Sequence, residues 1–184
     1  MRIEICTLQS EEEIRQIVEL QRQNLQVSLS IEKASLDGFV TVQHTYSLLE
    51  KMNEAAPQII AKDGEKVAGY ALVMPASFKK MIPVLEPMFD KLEKLDYENK
   101  KISEYRYYVM GQICVADGYR GMGIFDQLYQ KHKELLSPNF DLCITEIASR
   151  NARSMRAHER VGFKTLHTYQ DKTDHWNIVA WDWK

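Results

Sequence analysis

The amino-acid sequence predicts an α/β (α+β) fold, a mixed sheet with helices packed against it. Apolar residues alternate with polar ones in strand-length runs near the start and end of the chain, and short turns join these runs. Between them, stretches with apolar residues at helical spacing alternate with further strand-length runs. The third observation is size. A chain of 184 residues, 45% apolar and 10% aromatic, can bury one core, so residues 1–184 are expected to form a single domain.

Taken in order, "RIEICTL" alternates as a strand does, Ser10 can cap a helix, and Ile14, Ile17, Val18 and Leu20 fall at helical spacing between Glu11 and Asn24. After the irregular "VSLSIEKASLDGF", a second helix is expected over Val42 to Ala55. "PQIIAKDGEKVAGYALVMP" then reads as two strands joined at Asp63-Gly64. Met81, Leu85, Met88, Leu92 and Leu95 share one face of a predicted amphipathic helix, with Pro83 in its first turn. "YRYYVMGQICVA", Tyr105 to Ala116, is a long strand. A glycine turn comes next, and Ile124, Leu128, Leu135 and Leu136 mark a helix ending before Pro138. "DLCITEIA" is the next strand, Ser149 or Asn151 caps the helix after it, and Gly162 closes that helix. The chain ends on a hairpin, "FKTLHTYQ" and "HWNIVAWDW" about the turn "DKTD".

Charge and cysteine usage exclude several classes. Lys and Arg number 24 against 26 Asp and Glu, a net charge of −2 with no basic patch to neutralise phosphates, so no nucleic-acid partner is expected. No apolar run reaches the length of a membrane span and no export signal opens the chain, so no membrane partner is expected either. Cys6, Cys114 and Cys143 are odd in number and lie in apolar strands, which suits buried free thiols and a cytoplasmic location better than bridges or a metal site.

The stretch "VADGYRGMGIFDQLYQ" holds the chemistry. Two glycines behind an arginine, at a strand-to-helix junction, let backbone N–H groups meet an anion, although any tight turn uses glycines for geometry alone. There is no third glycine for a dinucleotide fingerprint and no Gly-Lys-Ser/Thr for a P-loop. A pyrophosphate-sized anion remains, held by the N–H groups from Gly121 to Phe125 at a helix N-terminus.

"RGMGIF", with Arg120, Gly121, Met122, Gly123 and Ile124, resembles the central motif of the GNAT acetyltransferase superfamily, with Phe125 standing where the family usually has a small residue. "EIASRNARSMRAHERVGF" is similar to the family's next strand and helix. The resemblance covers roughly 59–183 and implies a GNAT-like mixed central sheet with splayed parallel strands in the middle, and acetyl-CoA as cosubstrate with no metal. It implies cofactor contacts at Ile113, Cys114 and Val115 along the pantetheine arm, at Arg120 to Phe125 on the pyrophosphate, and at Asn151 and Ser154. A strand N–H polarising the acetyl carbonyl would contribute about 3–4 kcal/mol. His158 stands where many members carry the tyrosine thought to protonate the departing thiolate, and Glu146, at a strand end, is a candidate base. The expected partner is a small-molecule or peptide amine acceptor, and a homodimer is compatible with the resemblance.

Other readings of the same residues stay open. His158 shares a helical face with Ser154, Ala157 and Val161, as a core histidine would, and Glu146 can equally anchor a loop. Cys114 lacks a partnered histidine and acid at readable spacing, which favours packing over a nucleophile. Arg150, Arg153, Arg156 and Arg160 ring one helix and suit a phosphate or plain solvation. Glu32 and His44 are candidate groups of the acceptor pocket. A non-catalytic acyl-CoA binding or sensing module is the rival from another class.

Overall fold

Strand and helix alternate much as the periodicity predicts. In the computed structural model, which describes residues 2–25, 29–30 and 39–184, the strands are β1 (Ile3–Thr7), β2 (Ile59–Asp63), β3 (Lys66–Pro75), β4 (Asp96–Tyr97), β5 (Lys100–Lys101), β6 (Tyr107–Val115), β7 (Leu142–Ala148), β8 (Lys164–Gln170) and β9 (His175–Asp182). The helices are α1 (Glu11–Asn24), α2 (Tyr46–Ala55), α3 (Glu86–Leu92), α4 (Ile124–Leu136) and α5 (Ala152–Val161). Seven strands form one sheet in the order β1-β2-β3-β6-β7-β9-β8. It is mostly antiparallel, with β6 and β7 parallel.

The chain divides into two compact units. The first holds Met1–Val73 and Gly111–Leu135. Here β1 pairs antiparallel with β2, Ile3 opposite Asp63, and β2 pairs antiparallel with β3. Ser10 and Glu13 close a capping box at the start of α1, each side chain accepting from the other's backbone N–H. The apolar face of α1 is buried through Ile14, Ile17 and Leu20. Leu49 and Met52 on α2 and Leu128 and Tyr129 on α4 are fully buried in the same unit.

The second unit holds Met74–Met110 and Leu136–Lys184. Its parallel β6–β7 ladder pairs Tyr107–Val109 with Leu142–Ile144, and at the next step the Thr145 hydroxyl donates to the Met110 carbonyl at 3.1 Å. β7 pairs with β9 along its whole length, and β9 carries β8. Asp171 folds the β8–β9 turn by accepting from Thr173 N–H at 2.7 Å and Asp174 N–H at 3.0 Å.

Three expectations are corrected. α2 starts at Tyr46 rather than Val42, because the Thr45 hydroxyl accepts from Leu48 N–H and makes residue 45 the cap. The single helix expected from Met81 to Leu95 is two short 3-10 turns, Ala76–Met81 and Pro83–Leu85, with α3 directly after them. Pro83 forces Ile82 out of helical backbone, to φ −128° and ψ 82°, and breaks the run there. Met88 and Leu92 of the predicted stripe are buried, whereas Met81 is 43% exposed. Last, β6 begins at Tyr107, two residues later than expected, after a short β4–β5 ribbon that turns through Glu98 and Asn99 at positive φ.

Candidate active site

In the first unit the glycine turn stands at the end of β6. Gly121 and Gly123 adopt φ of +78° and +73°, a region side chains with a Cβ rarely enter. Gly121, Met122 and Gly123 are all exposed, and a Cβ at Gly121 would meet no atom of the described residues within 4 Å. The Gly123 carbonyl accepts the first bond of α4, from Gln127 N–H at 3.1 Å, so Gly123 is the cap residue and brings no side chain to the helix end. An open, exposed backbone ahead of a 13-residue helix fits an anion.

Arg120 turns onto the protein. Its guanidinium donates to the Val115 carbonyl at 3.2 Å and Asn24 Oδ1 at 2.8 Å and pairs with Asp117 at 2.7 Å, so the side chain braces the turn from behind. Ile124 is buried beneath the helix start, and the half-buried Phe125 ring meets Tyr129 edge-on with centroids 5.2 Å apart. On β6, Ile113 and Val115 are half-buried and Cys114 is buried. Burial pushes the Cys114 thiol up to about 12, so no thiolate forms there at neutral pH.

His44, a candidate acceptor-pocket group, is instead buried in this unit among polar side chains that no motif marks. Tyr70 O–H donates to Gln112 Oε1, and Gln112 Nε2 donates to the Val42 carbonyl at 2.7 Å. Gln21, fully buried, accepts from His44 N–H at 2.9 Å and therefore presents its amide to His44 Nδ1 at 3.0 Å. That arrangement leaves the ring proton on Nε2, which is buried with no partner among the described residues, and burial lowers the His44 pKa to about 4. Gln21 had a signal in the sequence: a polar residue four positions after Ile17, on the apolar face of α1. Glu32 lies outside the described residues.

In the second unit Asn151 caps α5, its Oδ1 accepting from Ser154 N–H at 3.2 Å. His158 is 2% exposed. Its Nδ1 donates to the Ser154 carbonyl at 2.8 Å and lies 3.3 Å from the Ser154 hydroxyl, while Phe163 meets the ring edge-on. Burial lowers its pKa to about 4, so at neutral pH the ring is uncharged with the lone pair at Nε2. Gly162 ends the helix at φ +123°, where a Cβ would fall 2.8 Å from Trp181 Nε1. Arg150 pairs with Asp174.

Glu146, on β7, accepts from the Tyr169 hydroxyl on β8, and burial raises its pKa. Tyr169 and Lys91 were not foreseen. Lys91 Nζ sits 3.6 Å from the centroid of the Tyr169 ring. Thus the predicted positions from Ile113 to Phe125 lie in the first unit, and Glu146, Asn151, Ser154 and His158 lie in the second. Among the described residues no group of three or more His, Cys, Asp or Glu is placed to hold a metal, and no helix is long and apolar enough to cross a membrane.

The glycine turn and the Asn151-capped helix are matched together by one family model, the acetyltransferase (GNAT) family, over residues 28–163. The chain belongs to the GNAT acetyltransferase family. Solved structures share its fold at low identity. The GNAT chain is similar to yncA, a putative acetyltransferase from Salmonella typhimurium solved with acetyl-CoA, at 12% identity and TM-score 0.65, over 100% of this chain and 95% of that one. It is similar to the ribosomal-protein-S18-alanine N-acetyltransferase of Escherichia coli at 12% identity and TM-score 0.63, over 98% and 94%. An N-acetyltransferase from Staphylococcus aureus Mu50 aligns at 16% identity and TM-score 0.63 over the whole of both chains. No curated protein sequence matches it.

Proposed function

We propose that this GNAT chain is an acetyl-CoA-dependent N-acetyltransferase that moves the acetyl group to an amine by direct attack, donor and acceptor being bound together. The observation that carries this reading is the exposed turn of Gly121 and Gly123 at positive φ ahead of α4, in a chain of an acetyltransferase family. Backbone N–H groups there suit a pyrophosphate, and Arg120 keeps the turn in shape from behind. Ile113, Cys114 and Val115 are the strand contacts for the pantetheine arm, and Asn151 and Ser154 are the further contacts that the family motif assigns. The free thiols Cys6, Cys114 and Cys143 support a reducing, cytoplasmic setting.

Acetyl-CoA supplies the thioester. The amine nitrogen bonds to the carbonyl carbon as the carbon–sulfur bond breaks, the amine gives its proton to Glu146, and the sulfur takes one up from solvent. Glu146 is our base: its raised pKa makes it a stronger proton acceptor than an ordinary carboxylate. His158 donates only from its protonated form, which is populated near pH 4, so its contribution as an acid is confined to acidic solution. The test is thiol release from acetyl-CoA across a panel of polyamines, aminoglycosides, amino acids and alanine peptides. The panel includes peptides because one similar fold belongs to an S18-alanine N-acetyltransferase. Release with at least one amine is expected. Coenzyme A binding without release would point to a non-catalytic acyl-CoA module instead.

A further inference from the structure

We propose that Tyr169 is a positioning residue for Glu146, its hydroxyl donating to Oε1 and fixing the carboxylate while Lys91 lies on its ring. The proposal rests on Glu146 being the base of the reaction above. Three elements of the second unit build the arrangement. Glu146 sits on β7 opposite Ile178 of β9, and Tyr169 sits on β8 opposite Trp176 of β9. β9 therefore separates the two strands, and the tyrosine side chain spans it to reach the carboxylate. Lys91, from α3, places its ammonium 3.6 Å from the ring centroid, and His167 stacks on the same ring with centroids 6.4 Å apart.

The partners decide the chemistry. A phenol O–H bonded to a carboxylate stabilises the ionised form and holds one oxygen in place, leaving the other to take a proton. Burial and the neighbouring Glu146 raise the Tyr169 pKa, so the hydroxyl stays a donor throughout the range in which amines react. The cation over the ring draws density from the phenol and strengthens that donation. The charged groups acting on Glu146 oppose one another: Lys91 favours the carboxylate, Asp171 at the head of the β8–β9 turn disfavours it, and burial disfavours it most. The Tyr169 hydrogen bond favours the carboxylate more strongly than Lys91 does, so its removal should make Glu146 harder to ionise.

The experiment tracks the Glu146 carboxyl carbon by NMR against pH, in wild type, Tyr169→Phe and Lys91→Met. Tyr169→Phe should titrate about one pH unit higher, and Lys91→Met should move the same way by less. In transfer assays the acidic limb of kcat/KM should move with the NMR midpoint while coenzyme A affinity stays at the wild-type value. An unmoved Glu146 midpoint in Tyr169→Phe overturns the proposal, as does a Glu146→Gln variant that keeps both the rate and the acidic limb. Failure of the chain to bind coenzyme A would instead remove the acetyltransferase reading, and the NMR titration would still decide whether Tyr169 governs the carboxyl.

Discussion

His158 shows how a side chain can match a position and differ in state. The motif puts it where the family carries an acid, yet the Nδ1 bond to the Ser154 carbonyl and the burial of the ring leave it neutral at pH 7. His158→Gln is therefore expected to change kcat less than about tenfold at pH 7–8 and to lower the melting temperature. A loss of the roughly 10²–10⁴-fold typical of general acid catalysis, with stability intact, would show that the ring delivers its proton at neutral pH after all. Phe125 is the other residue at odds with the motif. Its ring leans on Tyr129 and is half-buried, so Phe125→Ala should cost about 2 kcal/mol by denaturant titration and leave coenzyme A affinity unchanged. Tighter binding with no loss of stability would mean that the ring had been crowding the cofactor. The sequence made both positions conspicuous but not their environments, because burial and hydrogen-bond partners come from residues that meet only in the fold.

At the scale of elements, the sequence was most legible where caps and turns agree with periodicity. Ser10, Asp63-Gly64 and Gly162 each mark an element end that the structure reproduces. The run from Met81 to Leu95 misled because its apolar stripe is genuine at Met88 and Leu92 while Pro83 denies it a continuous helix. Gly69 carried no signal at all. It lies in the middle of β3, where a Cβ would come within 3.0 Å of the Cys114 carbonyl and 3.5 Å of Ile124. Gly69→Ala should push β6 back at Cys114, costing about 1–3 kcal/mol in stability and weakening coenzyme A binding. Unchanged thermal and binding curves would show that the two strands can separate at no cost. Of the network of Gln21, His44, Tyr70 and Gln112 the sequence marked only His44, as a pocket group rather than a buried one, and the polar residue on the apolar face of α1, since the members come from four separate elements or segments.

For the molecule as a whole, three buried histidines weaken the fold as pH falls below the ordinary histidine range. His44, His132 and His158 have pKa values lowered by burial to about 4, about 3 and about 4, and in His132 burial outweighs the opposing effect of Nε2 donating to the Ala71 carbonyl at 3.2 Å. Above the ordinary histidine value near 6.5 both folded and unfolded chains carry these rings neutral, and stability is full. As pH falls through 6.5 toward 4, the unfolded chain binds protons that the folded chain refuses, and stability is lost at up to roughly 3 kcal/mol per ring. The melting temperature should therefore fall steeply between pH 6.5 and 4, with a shallower slope in His132→Gln. A flat profile over that window would contradict the buried, neutral state of these rings.

Binding of the coenzyme A pyrophosphate by the Gly121–Gly123 turn is tested by calorimetric titration of coenzyme A into wild type and Gly123→Val. Gly64→Val serves as the control, since Gly64 also holds positive φ, at +60°, in the β2–β3 turn. Wild type and the Gly64 variant are expected to bind alike, and Gly123→Val to lose binding at least tenfold while still unfolding cooperatively. Equal affinity in all three proteins would leave the two glycines as turn geometry alone, with the pyrophosphate bound elsewhere or not at all.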